Sequence, residues 1–226
     1  MRAPGLLLLL PLIAAAPLPG PALAAPDQAT PAAAGQPALP DLATAMAALS
    51  DGRAPEGAQM LLALARAGRP EAQFNLALLY AQGFGVPQND RESLYWGWRA
   101  RLGGIPAAPA LIDRLAEAAT PALRDELATR IAADLEPRIA AGEGRAMLER
   151  SLLLVDLLAK PDLQTGYAWQ ALSAALGTPG AAVLRDATLA RIEPRNRLAA
   201  QDAALAMLRD LCAGGMQGQA LCATLP

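Results

Sequence analysis

The stretch "GRPEAQFNLALLYAQGFGVPQNDRESLYWGWRARLGG", residues 68–104, decides the fold of this chain. It contains two largely apolar segments of helical length, joined by the short sequence "GFGVP" at residues 83–87. Pro70 falls near the first turn of the first segment, where proline is tolerated, and Asn89 or Asp90 can cap the second. The stretch therefore predicts two consecutive helices with a glycine-containing turn between them.

Glycines that follow an apolar segment also occur in loops that bind phosphate, so the turn has two interpretations. A dinucleotide-binding loop has a strand before its glycines and a helix that starts at them. Here a helix is predicted before Gly83, Pro87 follows the turn, and the Lys-Ser/Thr pair of a P-loop is missing. We therefore predict a structural turn, in which Gly83 takes a left-handed conformation and Gly85 permits the tight reversal.

The composition favours an all-α protein without a conventional catalytic or metal site. Of 226 residues, 54% are hydrophobic but only 4% aromatic, and the good helix formers alanine and leucine dominate. The chain has no histidine, which removes the commonest general base and metal ligand. Its net charge is -2 and no basic block occurs, so nucleic acid is not an expected partner. We predict no enzyme activity, no cofactor and no metal site.

The N-terminus has the three parts of a secretory signal peptide. Arg2 precedes an apolar run, and the run is followed by the small-residue cleavage sequence "ALA" at residues 22–24. The run is short and interrupted by prolines, so cleavage is preferred to an uncleaved membrane anchor. We predict a signal peptide at residues 1–24, a flexible Pro/Ala-rich linker at 25–40 and a folded domain at 41–226. The expected product is periplasmic or secreted and has no stable membrane span.

The chain has two cysteines, Cys212 and Cys222, which lie close together near the C-terminus. In an oxidising compartment such a pair favours a disulfide. The bridge would close a short, glycine-rich loop and stabilise the tail by roughly 2–3 kcal/mol. A redox-active pair is the alternative, but the C-x-x-C spacing is absent. We therefore predict a disulfide that fixes the C-terminal tail.

The chain also repeats itself, which predicts an array of helix pairs. The segment that begins at Ala67 aligns with the segment that begins at Ala141, with one residue lost after Pro161. Beyond alanine and leucine, the aligned pairs are Gly68/Gly142, Pro87/Pro161, Trp96/Trp169, Gly104/Gly177, Pro106/Pro179, Asp113/Asp186 and Pro121/Pro194. We predict two copies of a four-helix unit after two initial helices, with helices near 69–82, 89–102, 106–118 and 121–141, then 143–158, 162–176, 179–191 and 194–213.

Residues 68–104 resemble the Sel-one-like repeat, a relative of the tetratricopeptide repeat. The matching residues are Ala72, Leu76, Tyr80, Gly83, Gly85, Val86, Leu94, Tyr95, Trp96, Ala100 and Gly104. Ala77, Asn89 and Ser93 depart mildly from the family pattern. The second copy lacks the glycine turn and has "DLLAKPD" at residues 156–162 instead. The resemblance implies an all-α, α/α superhelix (solenoid) of helix-turn-helix repeats, used for protein–protein contacts and without inherent catalysis.

The tryptophans are the candidate structural and binding residues. Trp96 and Trp169 fall at the position that the family buries between helices, so we predict that both lie in the core. Trp98 lies two residues after Trp96 and therefore points to another side of the helix. It is either packed on the next helix pair or partly exposed, and an exposed tryptophan would be a candidate for contact with a protein partner.

These features together predict a periplasmic repeat scaffold that binds a protein or peptide. Two other classes remain open: a cell-envelope enzyme or enzyme regulator that acts on cell-wall material through carboxylates, and a self-assembling structural subunit. Asp113 and Asp186 recur at equivalent places and could suggest acid–base chemistry. They belong to different units, however, and ion pairs with Arg114, Arg185 or neighbouring arginines explain them more simply.

Overall fold

The computed structural model describes residues 39–216 and 218–225. This part of the chain is helical and has no strand, which confirms the predicted all-α class. The predicted signal peptide and residues 25–38 of the predicted linker lie outside the described residues. Within the described part, no helix is both long and apolar enough to cross a bilayer.

Ten α-helices follow one another in the described residues. They are α1 Leu42–Ser50, α2 Ala54–Arg66, α3 Pro70–Gln82, α4 Asp90–Leu102, α5 Ala108–Arg114, α6 Pro121–Ala140, α7 Gly144–Leu152, α8 Leu163–Ala175, α9 Ala181–Arg191 and α10 Arg197–Ala213. A π-helical segment, Leu153–Leu157, continues α7, and short 3-10 turns occur at Pro194–Asn196 and Ala220–Thr224.

Side-chain caps start several of these helices at the predicted places. The carboxylate of Asp41 accepts from the amide of Thr44 at 2.6 Å, so α1 begins at Leu42. The side chain of Asn89 accepts from the amide of Glu92 at 3.1 Å and caps α4. These short polar side chains satisfy amides that have no partner inside the helix, which is why the helices begin where they do.

The helices pack in the same order in both predicted units. Helix α3 packs on α4, which also contacts α5 and α6, and α7 packs on α8, which also contacts α9 and α10. The aligned glycines Gly68/Gly142 and Gly104/Gly177 share positive φ angles, 84°/78° and 90°/75°. The repeat inferred from sequence therefore corresponds to a repeated set of helix contacts, as expected for a helical-repeat solenoid.

One continuous hydrophobic core runs from α1 to the C-terminal tail. Burying an aliphatic side chain of this kind contributes about 1.5–3 kcal/mol. The largest side chains that are fully buried are Leu61, Leu76, Leu94, Leu111, Leu127, Ile131, Leu135, Ile139, Met147, Leu153, Leu157 and Met216.

The glycine turn of the first unit has the predicted structural role. Gly83 ends α3 in the left-handed region, with φ 68° and ψ 32°. Gly85 also has a positive φ of 73°, and a Cβ there would overlap the carbonyl oxygen of Ala54 at the start of α2. The turn therefore joins α3 to α4 and also packs against the preceding helix pair.

The second unit makes the equivalent turn without glycine. After the π-helical segment, the guanidinium of Arg124 donates to the carbonyls of Leu157 at 2.8 Å, Leu158 at 3.0 Å and Asp156 at 3.3 Å. The carboxylate of Asp125 accepts from the amide of Ala159 at 3.0 Å. Helix α6 thus supplies the partners that end the π-helical segment, because unsatisfied carbonyls at a helix end need such partners.

Candidate functional site

A polar groove of about 780 Å³ lies where the first unit meets α2 on one side and α7 on the other. It is formed by the α2–α3 turn, the end of α4, the last turns of α6 and the start of α7. Glycines at the α2–α3 turn and after α4 leave room for it, and a Cβ on Gly68 would meet no atom within 4 Å. The polar side chains that line this groove are Arg66, Gln73, Arg99, Asp134, Arg138, Arg145 and Glu149.

One wall of the groove is built around Asp134 on α6. The guanidinium of Arg99 forms an ion pair with Asp134, and the hydroxyl of Tyr95 donates to the same carboxylate oxygen. Arg99 also donates to the Tyr95 hydroxyl at 3.0 Å. Burial, followed by the hydrogen bond to Asp134, raises the pKa of Tyr95, so the phenol stays neutral and remains a donor. These contacts fix the orientation of Arg99.

The opposite wall is built around Glu149 on α7, whose side chain is only 9% exposed. Its two carboxylate oxygens pair with Arg138 at 2.7 Å and with Arg145 at 3.1 Å. Arg138 also pairs with Glu143, and this hydrogen bond raises the pKa of the guanidinium and lowers the pKa of the Glu143 carboxyl. Arg145 further donates to the carbonyl of Leu102. Both arginines are therefore held in place before any ligand binds.

A row of ion pairs outside the groove joins α4 to α6, the two helices that carry Arg99 and Asp134. Arg91 pairs with Glu126, and Arg130 makes two hydrogen bonds to Glu92, at 2.6 and 3.2 Å. The guanidinium of Arg130 also lies 3.6 Å from the centre of the Tyr95 ring. Each exposed ion pair contributes little on its own, but together they fix the register of α6 on α4.

The groove lining carries an excess of positive charge. Four arginines face two carboxylates, which gives a net charge of +2. Arg66, in the last turn of α2, is exposed and has no ion-pair partner among the described residues. A preformed groove with a free guanidinium is suited to binding a carboxylate or another polar anionic group.

Comparison with known proteins adds little. No family model and no curated protein matches the chain. One solved structure, a "Sel1 repeat protein from Oxalobacter formigenes", is 24% identical and covers 75% of this chain, with a TM-score of 0.28. The chain spans 47% of the length of that protein. A TM-score this low does not establish a shared arrangement of helices, so the interpretation of the groove rests on its own residues.

The structure places Trp98 in the core rather than on a partner surface. Its side chain is 5% exposed, and the guanidinium of Arg101 lies 4.6 Å from the centre of its ring. Arg101 in turn pairs with Asp156 at 2.8 Å. Of the two placements open to Trp98, the packed one is observed, because residues 93–98 of α4 are all buried. We therefore correct the candidate partner contact: Trp98 offers no free surface to a partner.

The other aromatic candidates are also structural. Trp96 is 5% exposed and packs edge-on against Tyr95, with ring centres 4.8 Å apart. Trp169, which was predicted to lie in the core, is only partly buried, although it packs against the core. Cys212 and Cys222 form the predicted disulfide, with Cα atoms 5.7 Å apart.

The recurring aspartates do not contribute to the groove. Asp186 forms an ion pair with Arg185 at 2.8 Å, one of the two partners proposed for it. Asp113 is exposed and forms no ion pair with a described residue. Neither residue lines the polar groove.

The sequence reasoning missed the groove residues. The repeat is recognised from positions at which the two copies agree, whereas the groove depends on positions at which they differ. Arg66, Arg99 and Arg138 align with Ala140, Leu172 and Leu211. A charged residue in one copy and an apolar residue in the other is the signal that could have found them.

Proposed function

We propose that this chain is an exported repeat scaffold of the Sel-one-like kind, which binds a protein or peptide partner in the polar groove and catalyses no reaction. The observation that carries the proposal is the groove itself. Three of its four arginines, Arg99, Arg138 and Arg145, are fixed by Asp134 and Glu149, so binding would need little reorganisation of the surface. Guanidinium groups held in fixed positions recognise anionic groups through charge-assisted hydrogen bonds.

Export is part of the same proposal. A disulfide between Cys212 and Cys222 is stable in an oxidising compartment and is rarely kept in the cytosol. The N-terminal sequence has the features of a signal peptide, followed by a Pro/Ala-rich linker up to the folded domain. We therefore propose the periplasm or the extracellular space as the location of the mature protein.

Affinity capture from periplasmic extract tests the scaffold proposal. The immobilised chain should enrich a defined protein, and Arg66→Glu should reduce that enrichment because it reverses the free charge in the groove. Arg191→Glu is the matched control, since Arg191 is also an exposed arginine in the last turn of a helix. Enrichment of no protein, or equal loss in both variants, would count against a specific groove partner.

Self-assembly is the second candidate function, and a different surface favours it. Val183 on α9 and Leu198 on α10 are each 73% exposed, and Leu205 is 44% exposed. Exposed apolar side chains near the end of a repeat array can pack against another copy. A mass in solution that rises with protein concentration, and that falls after Leu198→Ser, would favour this candidate over a monomeric scaffold.

A further inference from the structure

The described residues of the C-terminal tail, 214–216 and 218–225, pack onto the α6–α7 turn of the second unit. Gln219 donates from its side-chain amide to the carbonyl of Ala141 at 3.3 Å. A Cβ on Gly142 would lie 2.7 Å from that amide nitrogen, and a Cβ on Gly215 would lie 2.9 Å from the carbonyl oxygen of Ala140. Met216, between these contacts, is only 1% exposed.

The α2–α3 turn is the equivalent place in the first unit, and there it is open. Ala67 and Gly68 align with Ala141 and Gly142. A Cβ on Gly68 would meet no atom within 4 Å, and no described residue donates a hydrogen bond to the carbonyl of Ala67. The polar groove begins at these two residues. One copy of the site is thus covered by the chain itself, while the other is uncovered.

In the second unit, the residues that line the covered site have the same chemical character as the tail residues that cover it. Positions that are polar in the first unit are apolar in the second: Met147, Leu172, Met207 and Leu211 stand where the first unit has Gln73, Arg99, Asp134 and Arg138. The tail residues that join this part of the core are apolar as well, namely Met216, Leu221, Cys222 and Leu225. An apolar occupant therefore covers an apolar lining.

We propose that the polar groove binds a non-helical, acidic peptide segment of a partner protein, at the place where the second unit binds its own tail. This inference rests on the proposed scaffold function and specifies the partner. The segment would donate an amide hydrogen bond to the carbonyl of Ala67, as Gln219 does to Ala141. Its carboxylates would pair with Arg66, whose guanidinium has no ion-pair partner among the described residues.

The charge of the site explains why a partner is needed. Arg66 has no ion-pair partner among the described residues, so an apolar segment such as this chain's own tail would cover its guanidinium without supplying a counter-charge, and burying unpaired charge is strongly unfavourable. An acidic segment instead meets a lining with an excess of two positive charges. Electrostatic complementarity of this kind gives specificity and accelerates association.

A peptide titration on the full chain tests this inference. The probe is a fluorescein-labelled, C-terminally amidated peptide, Gly-Gly-Glu-Gln-Gly-Gln-Glu-Asp. It keeps the order of residues 214–219 with glutamate in place of Met216, and it ends in two acidic residues. The control peptide has glutamine in place of each glutamate and asparagine in place of the aspartate. Fluorescence anisotropy should show at least about tenfold tighter binding of the acidic peptide at low salt, and the difference should shrink as salt screens the charges.

Two variants and a footprint locate the binding. Arg66→Ala should weaken binding of the acidic peptide about two- to fivefold, as expected for an exposed ion pair, whereas Arg191→Ala should leave it unchanged. Hydrogen exchange should become slower near residues 66–69 and 99–104 when the peptide binds. Slower exchange at residues 140–144 instead, or equal binding of both peptides, would overturn the assignment.

The outcome separates this inference from the scaffold proposal. If neither peptide binds while the chain still captures a partner through the groove, the proposed peptide chemistry is wrong and the scaffold function stands. If the chain captures no partner at all and the peptides also fail to bind, both proposals fall.

Discussion

At Gly85 two separate constraints exclude any side chain. Its φ of 73° lies in the left-handed region, which costs an L-residue about 1–2 kcal/mol. A Cβ there would also overlap backbone atoms of Ala54, and backbone cannot move aside as a flexible side chain can. The glycine that first suggested a ligand-binding loop is therefore required by the contact between neighbouring helix pairs.

Gly85→Ala should consequently destabilise the chain more than Gly104→Ala. Both positions have positive φ, but a Cβ on Gly104 would meet no atom within 4 Å. Gly104→Ala, the control, should lower the free energy of unfolding only by the cost of a positive φ, about 1–2 kcal/mol. Gly85→Ala should lower it by that amount and by the steric overlap in addition. Urea denaturation of both variants measures the difference, and equal midpoints would show that the approach to Ala54 relaxes easily.

The ion pair of Glu143 predicts a pH dependence of stability. Arg138 lowers the pKa of Glu143 below its ordinary value of 4.5, so the pair stabilises the fold above that value, and the contribution is lost as pH falls through the lower folded-state pKa. Glu143→Gln should therefore lower the free energy of unfolding at neutral pH by up to about 1 kcal/mol and should have little effect in strong acid. Thermal unfolding across pH checks this.

Glu117→Gln is the matched control, because Glu117 is exposed and forms no ion pair with a described residue. It should change stability little at any pH. If the two variants show the same pH dependence, the effect belongs to the net charge of the chain and not to the pair with Arg138.

At the scale of the helices, the two units form the equivalent turn by different means. The first uses Gly83 and Gly85, while the second uses a π-helical segment whose carbonyls accept from Arg124. Arg124→Ala should leave these carbonyls without their partner, which costs about 1–3 kcal/mol for hydrogen bonds to a charged group. Faster amide exchange at residues 158–162 is the expected measurement. Arg114→Ala, an exposed arginine of α5, should leave that exchange unchanged.

At one pair of equivalent helix contacts, the large and the small residue have changed places between the two units. Pro70 at the start of α3 lies against Gly103, where a Cβ would come within 2.6 Å of the proline ring. In the second unit the small residue is Gly144 at the start of α7, and the large one is Leu176. A Cβ on Gly144 would lie 3.1 Å from the Cβ of Leu176. The aligned positions are therefore in contact in both units, with large and small exchanged.

This exchange predicts a measurable coupling. Gly103→Ala should destabilise the chain by about 1–3 kcal/mol through overpacking, without a conformational cost because its φ of -70° suits any residue. In the Pro70→Gly background the same substitution should cost less, by at least about 0.5 kcal/mol. A double-mutant cycle in urea gives the coupling, and strict additivity would contradict the contact.

The sequence predicted the helices well because their boundaries are local. Capping residues such as Asp41 and Asn89, and the glycines after α3 and α4, mark them directly. Two errors have physical causes. The predicted helix at 106–118 is shorter, Ala108–Arg114, because the chain after it forms turns with i to i+3 hydrogen bonds such as that from the amide of Leu115 to the carbonyl of Ile112. The predicted helix at 143–158 ends in a π-helical segment whose carbonyls accept from Arg124 on another helix.

The groove could not be predicted in the same way. Arg66, Arg99 and Arg138 lie on three different helices, and only their packing brings them to one surface. For a related reason, the sequence did not decide between the packed and the partly exposed placement of Trp98. Helical spacing shows that Trp98 points away from Trp96, but not that α5 and α6 also pack on α4, which leaves that helix no free side near Trp98.

At the scale of the whole described domain, the two units differ in what completes them. The second unit is completed by the tail, which the disulfide joins to the end of α10 and which contributes Met216 to the core. The first unit keeps its equivalent surface open and charged. The tail thus covers core residues of the second unit, as a capping element does in repeat proteins.

Reducing the disulfide should therefore loosen one unit and spare the other. The bridge closes a loop with a sequence separation of 10, and its loss costs roughly 2–3 kcal/mol. Hydrogen exchange with and without a reductant should become faster at residues 214–225 and at the α6–α7 turn, residues 140–144, which the tail covers. It should stay unchanged at residues 66–69, because a Cβ on Gly68 in that turn would meet no atom within 4 Å, from the tail or elsewhere.

The double variant Cys212→Ser, Cys222→Ser should behave like the reduced chain. The control is the oxidised chain in the same buffer without the reductant. Faster exchange throughout would mean that the core unfolds as one cooperative unit and that the tail stabilises both copies equally.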